Sequence, residues 1–138
     1  MKNTKTLTPA ELASMIDHTF LKAAGDANAV KKLCAEAKKY HFACAMVNPC
    51  EVAAAVKALK GSGVKVGTVI GFPLGQNSEA IKRLEAVDAI ADGANIVDYV
   101  INIRVLKATA AEIARDCKRM TASTQLASDL CEFVETVK

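Results

Sequence analysis

The chain has 138 residues, 51% of them hydrophobic, which is enough for one domain with a hydrophobic core and too few residues to predict two domains. Its formal charge of +3 comes from Lys and Arg spread along the sequence, and aromatic residues make up 4% without any Trp, so the composition argues against a nucleic-acid-binding protein. No apolar run approaches the roughly 18 residues of a membrane helix, and the mostly polar residues 1–8 precede no apolar signal region, so neither membrane insertion nor export is predicted.

The first two predicted elements are helices. Thr8 and Glu11 form a capping-box pattern with a proline at the first helical position, which predicts a helix over residues 9–16. A second helix is predicted to begin after Asp26 and to run to about Tyr40, because apolar residues recur there at helical spacing.

Three short apolar runs are predicted to be strands, since each is rich in β-formers or other apolar residues and two of them end at a strand-breaking Pro or Gly. The predicted strands are residues 42–48, 64–70 and 96–103. The predicted helices between them are residues 52–60 and residues 77 or 78 to about 92, each followed by Gly. Continuously apolar strands separated by helices are typical of parallel βαβ units, so the predicted fold is α/β with about three parallel strands.

Residues 108–138 are predicted to be helical. Thr109 and Glu112 form a second capping-box pattern before residues 113–120. Apolar residues recur at helical spacing over residues 125–137, which indicates one more helix or an extension of the same one. No fourth strand is predicted there, and residues 1–138 are interpreted as a single domain.

The five cysteines argue against extracellular and zinc-binding folds. They are odd in number, scattered and never spaced C-x-x-C, which favours small apolar core residues in a reducing cytoplasm. With two His and no cluster of His, Cys and carboxylates, no metal or other cofactor is predicted. The cysteines are Cys34, Cys44, Cys50, Cys117 and Cys131.

Asp98 is the first candidate for chemistry. It lies in the middle of the third predicted strand, where alternation places it on one face with Ile96, Val100 and Asn102. A carboxylate buried in a sheet must be paired, hydrogen-bonded or protonated, so two interpretations stay open: a catalytic Asp and a satisfied structural Asp.

Asp17 and His18 are the second candidate. Together they offer an acid–base pair, and the alternative is a local turn or cap hydrogen bond after the first helix. The glycines of residues 61–67 match neither G-x-G-x-x-G nor a P-loop, so nucleotide binding is not predicted. Residues 71–75 (GFPLG) follow a predicted parallel strand, at the edge where α/β enzymes place their sites.

Four segments, in this order, resemble the deoxyribose-phosphate aldolase family. They are residues 16–22 (IDHTFLK), 42–50 (FACAMVNPC), 66–75 (VGTVIGFPLG) and 93–103 (GANIVDYVINI). Together they span most of residues 7–107, and residues 108–138 diverge. The resemblance implies the first part of a (β/α) TIM-type barrel.

Members of this family cleave 2-deoxyribose 5-phosphate into glyceraldehyde 3-phosphate and acetaldehyde through a lysine Schiff base, without metal. The resemblance implies that Asp98 is a proton-transfer residue and that Asp17 is an acidic residue near the same site. It also implies a phosphorylated sugar or a small aldehyde as the ligand. Two positions depart from the family pattern: Met46 replaces a frequent Cys, and Arg104 replaces a frequent Gly. Lys107 is interpreted as ordinary surface charge.

The family's imine-forming lysine belongs to later strands, so the chain is expected to lack the Schiff-base lysine and to be inactive alone. Three explanations stay open. The chain is a degenerate aldolase or a segment that needs a separate C-terminal piece, it is a truncated ordinary aldolase, or it is a non-catalytic oligomeric or small-ligand-binding protein on a partial barrel. Because three strands leave two open edges and an uncovered inner face, a homo-oligomer is expected, with the helix over residues 125–137 taking part.

Overall fold

The computed structural model describes residues 7–102 and residue 104. The described part contains a four-stranded parallel sheet in the order β1-β2-β3-β4, which confirms the predicted α/β class. The strands are β1 (Asp17–Phe20), β2 (Cys44–Val47), β3 (Lys65–Ile70) and β4 (Ile96–Tyr99). The helices are α1 (Pro9–Ala13), α2 (Ala27–Tyr40), α3 (Val52–Leu59) and α4 (Glu79–Ala91), with a 3-10 turn at Pro49–Glu51.

The prediction of about three strands is wrong by one, because β1 was not recognised. Asp17 pairs with Cys44 and Phe20 pairs with Val47, so this segment is the first strand of the sheet and neither a turn nor a cap. β1 has only four residues, and two of them, Asp17 and Thr19, are polar. Alternation of polar and aromatic residues is itself a strand signal, but a run this short gives it little weight.

Capping explains where the first two helices begin. The Thr8 hydroxyl accepts from the Glu11 amide at 3.2 Å and the Glu11 carboxylate accepts from the Thr8 amide at 2.9 Å, which confirms the predicted capping box. α1 ends at Ala13, three residues before the predicted end. The carboxylate of Asp26 caps α2 by accepting from two backbone amides, and α2 ends at Tyr40 as predicted.

The main core lies between the outer face of the sheet and the helices α2 and α3. Val47, Val52 and Ala55 are fully buried there. Thr68 is also buried on this face, and its hydroxyl donates to the carbonyl of Val47 at 2.9 Å, so its polar atom is satisfied. Strands covered by helices read as continuous apolar runs, which is why β2 and β3 were predictable.

The inner face of the sheet carries a second, smaller apolar cluster. Cys44, Met46 and Val69 are buried in it, with Leu21 and Ile96 packed against them. Gly67 lies among them, and a Cβ atom there would come within 2.7 Å of the Met46 Cε atom. The Met46 side chain thus occupies the space that any larger residue at position 67 would take.

Several sequence predictions concern residues outside the part of the chain that the structure describes. The end of the third predicted strand at residue 103, Lys107 and the helices over residues 113–120 and 125–137 lie outside the described residues, as do Cys117 and Cys131. Among the residues that the structure describes, no helix is both long and apolar enough to cross a membrane.

Candidate functional site

A cavity of about 380 Å³ lies on the inner face of the sheet and reaches the carboxyl ends of its strands. All four strands, or the residues just after them, contribute to its wall. The lining residues are Asp17, Thr19, Leu21, Met46, Val69, Phe72, Asp98, Tyr99 and Val100. The edge where parallel strands end is where α/β enzymes place their chemistry, so this cavity is the candidate site.

Asp98 lines this cavity from β4. Val69 is its neighbour in the register of β3 and β4. The expectation that the carboxylate is buried is wrong, since Asp98 is exposed. An exposed carboxylate avoids most of the desolvation cost of a buried one, so it needs no fixed partner.

Asp17 lines the same cavity from β1. Its side chain is exposed, and its backbone carbonyl accepts a hydrogen bond from the Thr19 hydroxyl at 2.8 Å. The two predicted site residues, Asp17 and Asp98, therefore line one cavity, although they are 81 positions apart in the sequence.

His18 does not join them. The imidazole Nε2 is 2.8 Å from a carboxylate oxygen of Glu36 in α2, and the ring lies 5.0 Å from the ring of Phe42. This hydrogen bond is the main reason why the pKa of Glu36 lies below its ordinary value. Adjacent residues of a strand point to opposite faces, so the proposed acid–base pair of Asp17 and His18 does not form.

The buried thiol of Cys44 reports the electrostatics of the cavity floor. Burial, followed by the negative charges of Asp17 and Asp98, raises its pKa to about 12, against a smaller opposing effect of Lys65. The thiol is therefore neutral at physiological pH, and Cys44 is a core residue and not a nucleophile. The charges of both carboxylates act on this one thiol, as expected for two groups that line the same cavity.

The loop over residues 71–75 forms the rim of the cavity beside β4. Gly71 and Gly75 both have a positive φ, and the Gly75 amide donates to the Gly71 carbonyl at 2.7 Å. A Cβ atom at Gly75 would collide with the carbonyl oxygen of Ile101. The loop therefore packs backbone to backbone against the segment that leaves β4, which requires glycine at this position.

The apolar wall of the candidate site was not predicted from the sequence. Leu21, Met46, Val69 and Phe72 line the same cavity as the two carboxylates. The signal was available, because these residues occupy alternate strand positions or follow a strand directly. Among the described residues, no lysine lines the cavity and no group of three or more His, Cys, Asp or Glu side chains is placed to hold a metal ion.

Comparisons with known proteins find relatives that are named deoxyribose-phosphate aldolase. The chain is 47% identical over 129 residues to the deoxyribose-phosphate aldolase of Bacteroides thetaiotaomicron, covering 93% of this chain and 54% of that protein. It is 57% identical over 97 residues to the enzyme of the same name from Clostridium perfringens strain SM101, covering 70% of this chain and 43% of that protein. No protein-family model matches the chain.

The fold is similar to a solved deoxyribose phosphate aldolase from Aeropyrum pernix, with a TM-score of 0.76 and 32% identity over 88% of this chain and 50% of that chain. This similarity confirms the predicted partial barrel. The chain spans about half the length of the relatives that it matches.

Proposed function

We propose that the chain supplies the carboxylate side of an aldolase site, because it is similar to deoxyribose-phosphate aldolases over the 43% to 54% of their length that it covers. The proposed reaction cleaves 2-deoxyribose 5-phosphate into glyceraldehyde 3-phosphate and acetaldehyde. One observation carries the proposal: Asp17 of β1 and Asp98 of β4 share a single inner-face cavity at the carboxyl edge of the sheet.

Asp98 is proposed to move protons. A neutral lysine amine adds to the substrate aldehyde, and loss of water from the carbinolamine gives the imine. Removal of the proton from the C3 hydroxyl lets the C2–C3 bond break, its electron pair passes into an enamine, and glyceraldehyde 3-phosphate leaves. Protonation of the enamine and hydrolysis then release acetaldehyde. Each of these proton transfers needs a positioned acid or base, and the exposed carboxylate of Asp98 is available within the cavity.

The apolar wall complements this role. Leu21, Met46, Val69 and Phe72 offer hydrocarbon to the two-carbon fragment that becomes acetaldehyde. An apolar environment also disfavours the charged form of an amine, which keeps a lysine nucleophilic.

We propose that the amine comes from a separate polypeptide and that residues 7–102 do not supply it. This proposal is supported by the cavity lining, which contains no lysine of the described residues. On this view the described part provides substrate contacts and proton transfer, and it does not provide the covalent step.

Reconstitution tests this proposal. The purified chain is mixed with the part of the Bacteroides thetaiotaomicron relative that it does not match, and cleavage of 2-deoxyribose 5-phosphate is followed by acetaldehyde release. We expect turnover only when both polypeptides are present, because the proposed site takes its carboxylates from one polypeptide and its amine from the other. Turnover by the chain alone would overturn the proposal that a separate polypeptide supplies the amine. A folded, associated mixture without turnover would overturn the proposed aldolase function. The intact relative serves as the control for assay conditions.

The chain is also proposed to form a homo-oligomer. The Aeropyrum pernix relative is described as tetrameric, and β1 and β4 are the edge strands of the described sheet. Exposed strand edges and apolar faces favour association. Light scattering at micromolar concentration is expected to give a mass above 14.6 kDa, that of one chain, and a stable monomer would contradict the proposal.

A further inference from the structure

A buried lysine lies next to the candidate site but not in it. Lys82, in the first turn of α4, is 3% exposed, whereas its sequence neighbour Arg83 is exposed. Lysine is almost never fully buried unless its ammonium group has partners, since desolvation of the charge is costly. The ammonium group of Lys82 is therefore expected to have interaction partners within the fold.

The ammonium group of Lys82 holds the end of β4. Its Nζ atom donates to the carbonyl of Val100 at 3.0 Å and lies 4.7 Å from the centre of the Tyr99 ring. The hydroxyl of Tyr99 in turn donates to Glu79 at 3.3 Å, one turn earlier in α4. A charged hydrogen bond and a cation–π contact thus join α4 to the two residues that directly follow Asp98.

The aliphatic part of the Lys82 side chain passes over Gly71, the residue that follows β3. A Cβ atom at Gly71 would lie 3.1 Å from the Lys82 Cε atom, so the absence of a side chain gives the lysine its path. The Gly71 amide donates to Glu85, also in α4, at 2.7 Å. α4 therefore fixes the carboxyl ends of β3 and β4 at the same time.

The contacts at Val100 connect this arrangement to Asp98. The Val100 amide donates to the Ile70 carbonyl of β3 at 2.9 Å, and the Val100 carbonyl accepts from Lys82. Both backbone hydrogen-bonding groups of the residue two positions after Asp98 are thereby held. Because the carboxylate projects from the same short extended segment, the orientation of this backbone sets its direction into the cavity.

We propose that Lys82 is a positioning residue for the carboxylate of Asp98, acting through Tyr99 and Val100 without touching the substrate. The inference rests on the proton-transfer role proposed for Asp98. It also assigns Lys82 no covalent role: its ammonium group faces the Val100 carbonyl and the Tyr99 ring, and Lys82 does not line the cavity.

The test compares Lys82→Met with Arg83→Met in the full chain. Methionine keeps an unbranched apolar stem over Gly71 and removes the charge and the donor, and Arg83→Met removes an exposed cation from the same helix turn. The first readout needs no activity: the ¹³C NMR shift of the Asp98 carboxyl carbon at pH 7. We expect it to move in Lys82→Met and to stay in place in Arg83→Met. An unmoved Asp98 signal in a folded Lys82→Met chain would overturn the proposal.

The second readout is the kinetics of the reconstituted mixture. Lys82→Met is expected to lower kcat by about 10- to 100-fold with little change in KM, since misplaced catalytic groups lose rate and not substrate affinity. Lys82→Arg, which keeps charge and donors, is expected to restore part of the loss. A kcat equal to that of Arg83→Met, or a change in KM alone, would refute the positioning role. If the wild-type mixture shows no turnover, the proposed function fails and the NMR readout still decides the placement of Asp98.

If Lys82→Met does not fold, Lys82→Leu replaces it under the same criteria, because leucine also removes both the charge and the donor. Folding of each variant is checked by far-UV circular dichroism before either readout. A Lys82→Leu chain that folds with the wild-type Asp98 signal would also overturn the proposal.

Discussion

Replacing Asp98 with Asn is expected to lower aldol cleavage by the reconstituted site about 100- to 10,000-fold, the range that general acid–base catalysis contributes. Asparagine matches the shape of aspartate and cannot accept and return a proton at the same atoms. Because Asp98 is exposed, the substitution is expected to leave the urea midpoint of the chain unchanged. The measurements are the rate of acetaldehyde release and a urea titration of the same preparation.

Asp88→Asn is the matched control for this prediction. Asp88 is an exposed aspartate of α4 that does not line the cavity, so its replacement is expected to leave the rate unchanged. If Asp98→Asn kept more than about a third of the wild-type rate, an amount worth less than 1 kcal/mol of barrier, proton transfer by Asp98 would be rejected.

Replacing Leu33 with Ala is expected to destabilise the chain by about 2–5 kcal/mol. Leu33 projects from α2 into the core between the helices and the outer face of the sheet, where it is 5% exposed. Truncation removes buried hydrocarbon and leaves a cavity that the surrounding side chains fill only in part. Such a loss is a large fraction of the stability of a typical domain. Urea unfolding followed by circular dichroism measures it.

Leu84→Ala provides the control, because Leu84 belongs to α4 and is 64% exposed. Its truncation is expected to change the free energy of unfolding by no more than about 0.5 kcal/mol. Equal shifts for the two variants would mean that the core is not where the structure places it.

The α/β class and most element positions were predictable because local signals and burial agree. The capping box at Thr8 and the cap at Asp26 satisfy amides that any helix start leaves unpaired. All four residues of β2 and the last five of β3 are buried, so their sequences are mostly apolar. Residues 71–75 follow β3 directly, and the ends of parallel strands meet at one edge of a sheet.

β1 was not predictable with the same ease, because its inner residues are part of the site. Asp17 and Thr19 line the cavity and are therefore polar, which removes the apolar run that identifies the other strands. Functional residues commonly override local structural preference in this way. The partner of His18 was also hidden, since Glu36 lies 18 positions away and meets it only when α2 packs on β1.

Asp98 was wrongly predicted to be buried, and the burial of Lys82 was not predicted. Both errors have the same physical reason. Alternation along a strand or helix gives the face on which a side chain lies, but what covers that face depends on tertiary packing. Asp98 lies in a strand and faces a cavity. Lys82 lies in the first turn of α4, where a lysine is expected to be solvated. It is buried because Gly71 has no side chain to occupy the space that the lysine side chain takes.

Borohydride trapping in the reconstituted mixture tests the central claim most directly. The chain and the complementary part of the Bacteroides thetaiotaomicron relative are incubated with acetaldehyde, the imine is reduced to a stable secondary amine, and the modified lysine is located by peptide mass spectrometry. The account predicts one dominant adduct on a lysine outside residues 7–102, formed fastest when Asp98 is intact. An adduct on a lysine within residues 7–102, or an adduct whose rate is indifferent to the presence of this chain, would contradict it.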